Sequence, residues 1–312
     1  MESIAKKSKF KIKSFHKRNG QLIWWLLLLP GLLLTLVFKY GPMFGITVAF
    51  QDFGLGSSGF FGNEWVGLDN FYSVFRLKGF VQSVTNTLII SSTKIILGIV
   101  CPLILALCLN EVGKKWFSKI VQTAYFLPFF LSWIILGGII NQMFSYNGIV
   151  NTLIAAFGFD RVVFLINNDW FRTIIILSDV WKGMGYNMII FLAAISSIDP
   201  SLYEAAEIDG ANRIQRVIHI TLPGILPTLA LIATLSLNGL LNGNFDQVVV
   251  LYNPMVYEKG DIIDTFIYRL GFTGDSKLDI SAAVGLLKSV ISFLLVGGTY
   301  YFAYKKFDYR IF

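Results

Sequence analysis

The chain has 312 residues, of which 55% are apolar or aromatic and only 14% are charged, and its formal net charge is +7. Ordinary soluble domains carry about 45–50% apolar and about 25% charged residues, so the composition excludes a water-soluble enzyme. The high apolar content also excludes a disordered chain, and the presence of only two cysteines excludes a disulfide scaffold. The remaining class is an integral membrane protein.

Six stretches are apolar over about 20 residues, the length that a helix needs to cross a bilayer. They predict an all-α integral membrane protein whose six transmembrane helices lie at Leu22–Phe50, Thr87–Asn110, Ile120–Ser145, Thr173–Ser197, Gly224–Tyr252 and Ile280–Tyr304. Pro30 and Pro42 interrupt the first stretch, so its outer part is expected to bend or leave the bilayer. Residues 1–21 form a basic tail, and residues 22–312 form the six-span domain.

Basic residues lie unevenly on the two sides of the predicted spans. Fifteen lysines and arginines lie in the tail, between spans two and three, between spans four and five, and after span six, whereas seven lie on the opposite side. Because basic segments stay in the cytoplasm, both termini are predicted to be cytoplasmic. The tail abuts an apolar helix, so it is interpreted as a topology signal that touches anionic membrane lipid and not as a nucleic-acid-binding arm.

The sequence offers no candidate catalytic or metal site. His16 and His219 are isolated, and Cys101 and Cys108 are seven residues apart on one predicted helix, which is too far for a disulfide. The chain also lacks a G-x-x-x-x-G-K-[ST] loop, so it is not expected to hold ATP itself. These patterns argue against a membrane enzyme and predict no cofactor or metal in this chain.

The loop 198–223, between spans four and five, has the signals of a helix start. Asp199 can cap a helix that has Pro200 at its first position. Ser201 and Glu204 offer a capping box as an alternative start. In either case, the loop is expected to contain structure of its own on the cytoplasmic side.

Two further residues predict how this loop continues. Gly210 can end the first helix in a left-handed turn, and a second short helix is expected to run to about Ile220. Pro223 is expected to stop that second helix before span five. Composition alone would favour a helix pair that merely connects two spans.

The spacing within the loop favours a more specific interpretation. Glu204-Ala205-Ala206 is followed after three residues by Gly210, and after nine more by Ile220, one residue and Leu222-Pro223. This pattern resembles the EAA loop of ABC-importer permeases, which docks into a groove of the ATPase subunit. The resemblance implies the type I ABC importer permease fold and a multi-pass location in a bacterial cell membrane. It also implies that coupling to the ATPase is carried by Glu204, Ala205, Ala206, Asp209, Gly210, Leu222 and Pro223.

Other segments resemble the polysaccharide branch of carbohydrate permeases, which is related to the larger membrane subunit of the maltose importer. They are residues 39–50, 66–71, 86–87, 126–133 and 244–247. The resemblance implies a non-catalytic permease subunit of an ATP-driven importer for an oligosaccharide or related glycan. It implies as partners a second homologous permease, ABC ATPase subunits that bind ATP and Mg, and an extracytoplasmic sugar-binding lipoprotein.

Polar groups within span five are candidate substrate contacts, because amides and carboxylates offer the donors and acceptors that sugar hydroxyls need. The glycines among them predict a weak or broken helix, which is tolerated where it lines a cavity or is buried in protein. The candidates are Asn238, Asn242, Asn244 and Asp246. A second possibility is that these groups hold helices together.

Aromatic residues near Pro128 form a weaker set. Phe129 and Trp133 can stack on sugar faces, but packing between helices or against lipid is the alternative. Asp179 and Lys182, three residues apart in span four, are expected to pair on one helix face and to join helices.

Lys94 and Lys288 also lie in spans, with no assigned role. Two rival functions stay open: an ABC permease for a non-sugar solute, and a secondary transporter that works without an ATPase.

Overall fold

The computed structural model describes residues 22, 24–54, 59, 63–112, 114–237, 239–273 and 277–307. Within these residues the chain is helical, with one isolated β-bridge between Gln51 and Trp65, which confirms the all-α prediction. The basic residues of the N-terminal tail lie outside the described part. The helices are α1 (Trp24–Phe50), α2 (Asp69–Arg76), α3 (Phe80–Glu111), α4 (Lys115–Phe126), α5 (Trp133–Phe144), α6 (Ile149–Ala156), α7 (Asn168–Ser196), α8 (Pro200–Ile208), α9 (Arg213–Arg216), α10 (Leu222–Leu237), α11 (Phe245–Leu251), α12 (Tyr257–Gly260), α13 (Ile263–Phe272) and α14 (Leu278–Phe307).

Among the described residues, five helical segments are long and apolar enough to cross a membrane, and a bent pair of helices supplies a sixth. The predicted spans two, four and six correspond to α3, α7 and α14. The first span is α1, whose outer end changes to a π turn at Leu36–Tyr40 and a 3-10 helix at Gly41–Phe50. Pro42 lies at the start of the 3-10 segment, where the helix was expected to become irregular. Pro30, by contrast, lies within regular α-helix.

The centre of the protein is the pair of long helices α3 and α7, which pack along each other. In one half, Phe171 of α7 is fully buried in a cluster with Ile90 of α3. In the other half, Met188 and Phe191 of α7 are buried with Ala106 of α3. The two helices therefore form the rigid frame against which the other spans lie.

The third span is not the continuous helix that was predicted over Ile120–Ser145. The helical segments Lys115–Phe130 and Trp133–Ala156, which include α4 and α5, meet at an angle of 107° across a break of two residues. Pro128 causes the interruption, because it cannot donate a backbone hydrogen bond and it lies in a 3-10 turn over Leu127–Phe130. After the break, Ser132 caps α5 by accepting a hydrogen bond from the backbone N–H of Ile135 at 3.3 Å.

The carbonyl groups freed at this break are satisfied by a lysine of α7. The Nζ of Lys182 donates to the carbonyl oxygens of Pro128 at 3.3 Å, Phe129 at 3.0 Å and Leu131 at 2.5 Å. A cation is stabilised near the C-terminal end of a helix, and backbone groups at membrane depth need such partners. Lys182 therefore joins α7 to the broken span, and its expected pairing with Asp179 is wrong.

The fifth span starts earlier than predicted and is broken near its middle. A continuous helix of 25 residues runs over Arg213–Leu237, so the expectation that Pro223 stops the second loop helix is wrong. A π turn at Val217–Thr221 lies directly before that proline, and the wider turn leaves room for a residue without an N–H group. The helix ends at Leu237 and α11 starts at Phe245, which confirms the predicted break.

The contact between α7 and α4 can be tested through two glycines of α7 that are separated by one residue. A Cβ atom on Gly185 would lie 2.3 Å from the backbone oxygen of Tyr125, whereas a Cβ on Gly183 would meet nothing within 4 Å. We expect Gly185→Ala to destabilise the purified protein by about 1–3 kcal/mol, because the helices must separate. Gly183→Ala is the matched control, and thermal unfolding in detergent is the measurement. Equal stability of the two variants would contradict the close α4–α7 contact.

Candidate functional site

The break in span five forms a turn over residues 239–244 with an unusual backbone. Asn244 has a φ of 65°, and among the described residues no other non-glycine residue has a positive φ. Asparagine tolerates this left-handed conformation better than most residues. Its side-chain Nδ2 donates to Oδ1 of Asp179 at 2.7 Å, so the turn is tied to α7. At Gly243, a Cβ atom would lie only 2.9 Å from the side chain of Ile262.

A buried lysine of α3 holds the same turn from the other side. Lys94 is 8% exposed, and its Nζ donates to the carbonyl oxygen of Gly243 at 3.1 Å and to Oε1 of Gln247 at 2.5 Å. The nearest carboxylate is that of Asp179, whose Oδ1 lies 3.9 Å from the lysine Nζ. Gln247 is fully buried and donates in turn to the hydroxyl of Ser178 at 2.8 Å. These contacts form one polar network across α3, α7 and α11.

A cavity of about 280 Å³ opens between the network, α3 and α10. Its polar lining combines amides, hydroxyls and one ion pair, which are the groups of Ser91, Lys94, Asp179, Asn187, Ser236, Asn242 and Asn244. Ser91 is 4% exposed, and its hydroxyl has no hydrogen-bond partner among the described residues. A buried hydroxyl without a partner is rare in native proteins, and the Ser91 hydroxyl is free to pair with a polar molecule in the cavity.

A second cavity, of about 530 Å³, lies on the other side of the turn. Asn242 and Asn244 line both cavities. In the second cavity, the Nζ of Lys288 contacts Oδ1 of Asp264 at 2.5 Å and donates to Oδ1 of Asn242 at 2.9 Å. The two asparagines therefore mark the point at which the cavities adjoin.

Three aromatic rings form one wall of the second cavity. The ring of Phe245 lies 5.6 Å from that of Tyr268, which in turn lies 5.6 Å from that of Phe272 at an interplanar angle of 29°. A wall of this kind offers flat apolar faces beside the charged pair and the amides. The combination suits a guest that has both hydroxyl groups and apolar ring faces.

The four residues of span five that were predicted to contact the substrate do not all lie at the cavities. The structure brings Asn242 and Asn244 together at the cavities. Asn238 lies outside the described residues. Asp246 is exposed in the first turn of α11 and lines neither of the two cavities. Its proposed role on the pathway stays a prediction.

The predicted aromatic contacts lie at the break of the third span and line neither cavity. The ring of Phe129 stacks on Tyr186 with centroids 5.0 Å apart. The Nζ of Lys182 lies 5.8 Å from the ring centroid of Phe129 and 5.6 Å from that of Trp133. These contacts favour the packing interpretation over sugar stacking for both residues.

Some residues of the site were not identified from the sequence. Gln247 lies three residues after Asn244, so helical spacing places both on one face, and this was the available signal. Asp264 and Ser91 gave no such signal, because the cavities that they line are formed by segments far apart in sequence. The sequence identified Lys94 and Lys288 as charged residues within spans, but it did not indicate a function for either of them.

The loop 198–223 forms two helices around a tight turn, as predicted. Asp199 caps α8, accepting a hydrogen bond from the backbone N–H of Ser201 at 2.9 Å, so the first of the two alternative starts is confirmed. Bonds from the Ser201 backbone and side chain lower the pKa of the Asp199 carboxyl. Gly210 has a φ of 77°, and the N–H of Ala211 donates to the carbonyl oxygen of Ala206 at 2.9 Å. This geometry is a left-handed helix end that favours glycine.

The second loop helix has a cap that the sequence analysis did not identify. The side chain of Asn212 accepts from the backbone of Gln215 at 2.9 Å, and the side chain of Gln215 accepts from the backbone of Asn212 at 2.8 Å. The hydroxyls of Tyr203 and Thr221 lie 2.9 Å apart and tie α8 to the start of span five. The loop is thus braced at both of its helices.

The loop presents an apolar surface that no other described residue covers. Leu202, Ile208 and Ile214 are 52%, 87% and 72% exposed. Of the predicted coupling residues, Ala206 is half-buried and Leu222 is half-buried at the start of α10, and the others are exposed. A cleft of about 310 Å³ between the two helices includes Ala206, Asp209 and Gly210 among its lining residues. Exposed apolar residues around a cleft are typical of a protein-binding surface.

Comparison with known proteins gives one consistent family. The sequence profile of "Binding-protein-dependent transport system inner membrane component" matches residues 98–308. The chain is 41% identical over 285 residues to protein LplB of Bacillus subtilis (strain 168), covering 91% of this chain and 89% of that protein. It is 38% identical over 294 residues to YteP, a polygalacturonan/rhamnogalacturonan transport system permease of the same organism, covering 94% and 91%.

Solved structures agree with the sequence relatives. A chain of a bacterial ABC transporter involved in the import of the acidic polysaccharide alginate superposes with a TM-score of 0.84 at 36% identity, covering 94% of this chain and 99% of that chain. A chain of the bacterial alginate transporter in complex with its alginate pentasaccharide-bound periplasmic protein gives 0.83 at 36% identity, covering 93% and 96%.

The backbone of the turn between α10 and α11 can be tested at Asn244. We expect Asn244→Val to destabilise the purified protein by about 1–3 kcal/mol, because a β-branched residue is strained at positive φ. Asn244→Gly accepts this backbone and loses only the hydrogen bond to Asp179, at a cost of about 1 kcal/mol. Thermal unfolding in detergent compares the two variants, and a valine variant as stable as the glycine variant would contradict the strained turn.

Proposed function

Because this chain belongs to the family of binding-protein-dependent transport system inner membrane components, we propose that its two adjoining cavities lie on the translocation pathway for an oligosaccharide or related glycan. The chain is a membrane permease with the fold of the type I ABC importers. The observation that carries the proposal is that Asn242 and Asn244, at the break of span five, line both cavities.

The chemistry of the cavities suits a glycan. Amides and hydroxyls can donate and accept hydrogen bonds with sugar hydroxyls, and a site built from such groups binds poorly to solutes that leave them unpaired. The rings of Phe245, Tyr268 and Phe272 offer apolar faces for sugar rings. Lys94 and Lys288 each have an aspartate partner, Asp179 and Asp264, so recognition does not depend on an isolated charge.

The relatives support a carbohydrate substrate over another solute. YteP is named as a permease of a polygalacturonan/rhamnogalacturonan transport system, and LacF of Rhizobium radiobacter as a permease of a lactose transport system. The similar solved transporter is involved in the import of alginate. Another relative, UgpA of Yersinia enterocolitica, is named as a permease of an sn-glycerol-3-phosphate transport system, so a non-sugar solute stays the alternative. Family membership rules out the secondary transporter.

The permease is proposed to work in an assembly. A second homologous permease completes the pathway, and separate ABC ATPase subunits bind ATP and Mg and dock on the surface formed by Leu202, Ile208 and Ile214. An extracytoplasmic sugar-binding lipoprotein delivers the glycan, as the complex of the alginate transporter with its periplasmic protein supports. ATP hydrolysis therefore occurs outside this chain.

The opposite end of the molecule supplies a surface for the lipoprotein. Trp65 and Tyr72 are 62% and 64% exposed there. The guanidinium of Arg269 donates to the carboxylate of Asp261 at 2.6 Å, and Arg172 donates to Asn86 at 2.6 Å. Burial raises the pKa of the Asp261 carboxyl, and the hydrogen bond from Thr265 and the charge of Arg269 oppose that shift. Asn86 also donates to the carbonyl oxygen of Asp261 at 3.1 Å, so these contacts join α3, α7 and α13.

Coupling follows from the continuity of one helix. The helix Arg213–Leu237 starts beside the turn at Gly210 and ends at the break that lines both cavities. Closure of the ATPases around the loop 198–223 would therefore move α10 as a unit. The spans would pass from an inward-open to an outward-open arrangement, with the energy supplied by another chain.

The coupling role predicts a specific response at Gly210. We expect Gly210→Val to lower ATP-dependent glycan uptake about tenfold, because a β-branched residue is strained by 1–2 kcal/mol or more at positive φ. Gly210→Asn, which tolerates the left-handed turn, should keep most of the uptake. Uptake is measured in proteoliposomes that contain the full complex, together with co-purification of the ATPase subunits. Normal uptake by the valine variant, with the protein still in the membrane, would contradict the coupling role.

The pathway predicts a loss of uptake at the shared asparagines. We expect Asn242→Leu, which keeps the volume and removes the hydrogen bonds, to lower glycan uptake about tenfold without loss of complex assembly. Asp246→Asn is the matched variant on the exposed face of α11 and tests the prediction made from the sequence. A larger loss for Asp246→Asn than for Asn242→Leu would move the pathway away from the two cavities.

A further inference from the structure

The turn over residues 239–244 joins the two helical parts of span five. The helix Arg213–Leu237 has 25 residues, which corresponds to about 37 Å of helix that starts within the loop 198–223. This helix packs on α3 and α7 through Ile225 and Ile232, whereas α11 packs into a separate cluster through Val248 and Leu251. The coupling proposed above moves α10, so a change in the relative position of the two parts would be absorbed within the turn.

Lys94 is the side chain that holds the side of this turn that leads into α11. Its Nζ has three donors, and it contacts the backbone oxygen of Gly243, the amide oxygen of Gln247 and, at 3.9 Å, the carboxylate of Asp179. The first contact lies within the turn, the second on α11 and the third on α7. A single cation of α3 thus connects the turn, α11 and α7.

The charge of Lys94 also supports the unusual backbone at Asn244. Asp179 accepts a hydrogen bond from the side chain of Asn244 at 2.7 Å, and Lys94 is the cation that pairs with this carboxylate. The carboxylate is therefore held between the lysine and the turn. Removing the lysine would weaken the support of this partly buried carboxylate, which would keep only the hydrogen bond from Asn244 and the charge of Lys182.

We propose, on the basis of the function proposed above, that Lys94 is a positioning residue for transport. Lys94 holds residues 243 and 244 in place. When α10 moves, the change in backbone conformation is therefore limited to residues 239–242, and the lining of the cavities changes there. The lysine acts through the turn and is not itself assigned a contact with the glycan. Without it, α10 and α11 shift together and movement at the loop 198–223 no longer changes access to the cavities.

The test compares transport with ATP hydrolysis in the reconstituted complex of both permeases, the ATPase subunits and the binding protein. We expect Lys94→Met to leave assembly and binding-protein-stimulated ATPase activity in place while the number of glycans transported per ATP falls about tenfold. Lys119→Met removes an exposed lysine of α4 and is the control, with an unchanged ratio. A merely structural role would lower assembly, transport and hydrolysis together.

A second variant keeps the proposal testable if Lys94→Met does not assemble. The double substitution Lys94→Met with Asp179→Asn also removes the charge of the carboxylate, and the same fall in transport per ATP is expected. An unchanged ratio in the assembled single or double variant would overturn the proposal, as would failure of both variants to assemble. Loss of ATPase activity in Lys94→Met would also overturn it. Absence of ATP-dependent glycan uptake in the unchanged complex would instead contradict the proposed function.

Discussion

Backbone groups at membrane depth need hydrogen-bond partners inside the protein, and the rest of this structure depends on how that requirement is met at two broken spans. At the break of span three, the Nζ of Lys182 donates to three backbone carbonyls. At the break of span five, the Nζ of Lys94 donates to the carbonyl of Gly243. Both breaks are thus stabilised by lysines of the central pair of helices, α7 and α3, which explains why charged side chains occur in the middle of apolar spans.

The same arrangement places the cavities. A regular helix through span five would present only side chains to its neighbours, whereas the turn over residues 239–244 opens space on both of its sides. The break therefore creates the site, and the polar network around Asp179 and Gln247 keeps the break in one shape. Because the helix from Arg213 to Leu237 ends at this turn, the second helix of the loop 198–223 and one edge of the first cavity belong to one continuous segment.

The sequence allowed most of the spans and the loop helices to be predicted, because composition, caps and turn glycines act locally. The broken fifth span was also visible from its glycines and asparagines, whereas the break near Pro128 was missed because its stabilising partner, Lys182, is 54 residues away. The role of Asp246 on the pathway stays a prediction, although this residue is exposed on α11. A helical period places Asn244, Gln247 and Val248 on the buried face and turns Asp246 outward, but the sequence does not show which face is covered.

The first span differs from the others in what it touches. The most apolar stretch of α1 contains no buried residue, and its outer end, Gly41–Phe50, packs on α14 through Val48 and Ala49. During synthesis α1 is made well before α14. The helix α1 can therefore enter the bilayer before this partner exists, and its outer end finds its packing surface only after α14 has been made. The contact thus joins two segments that are made at different times, and the outer end of α1 must wait in the membrane until α14 arrives.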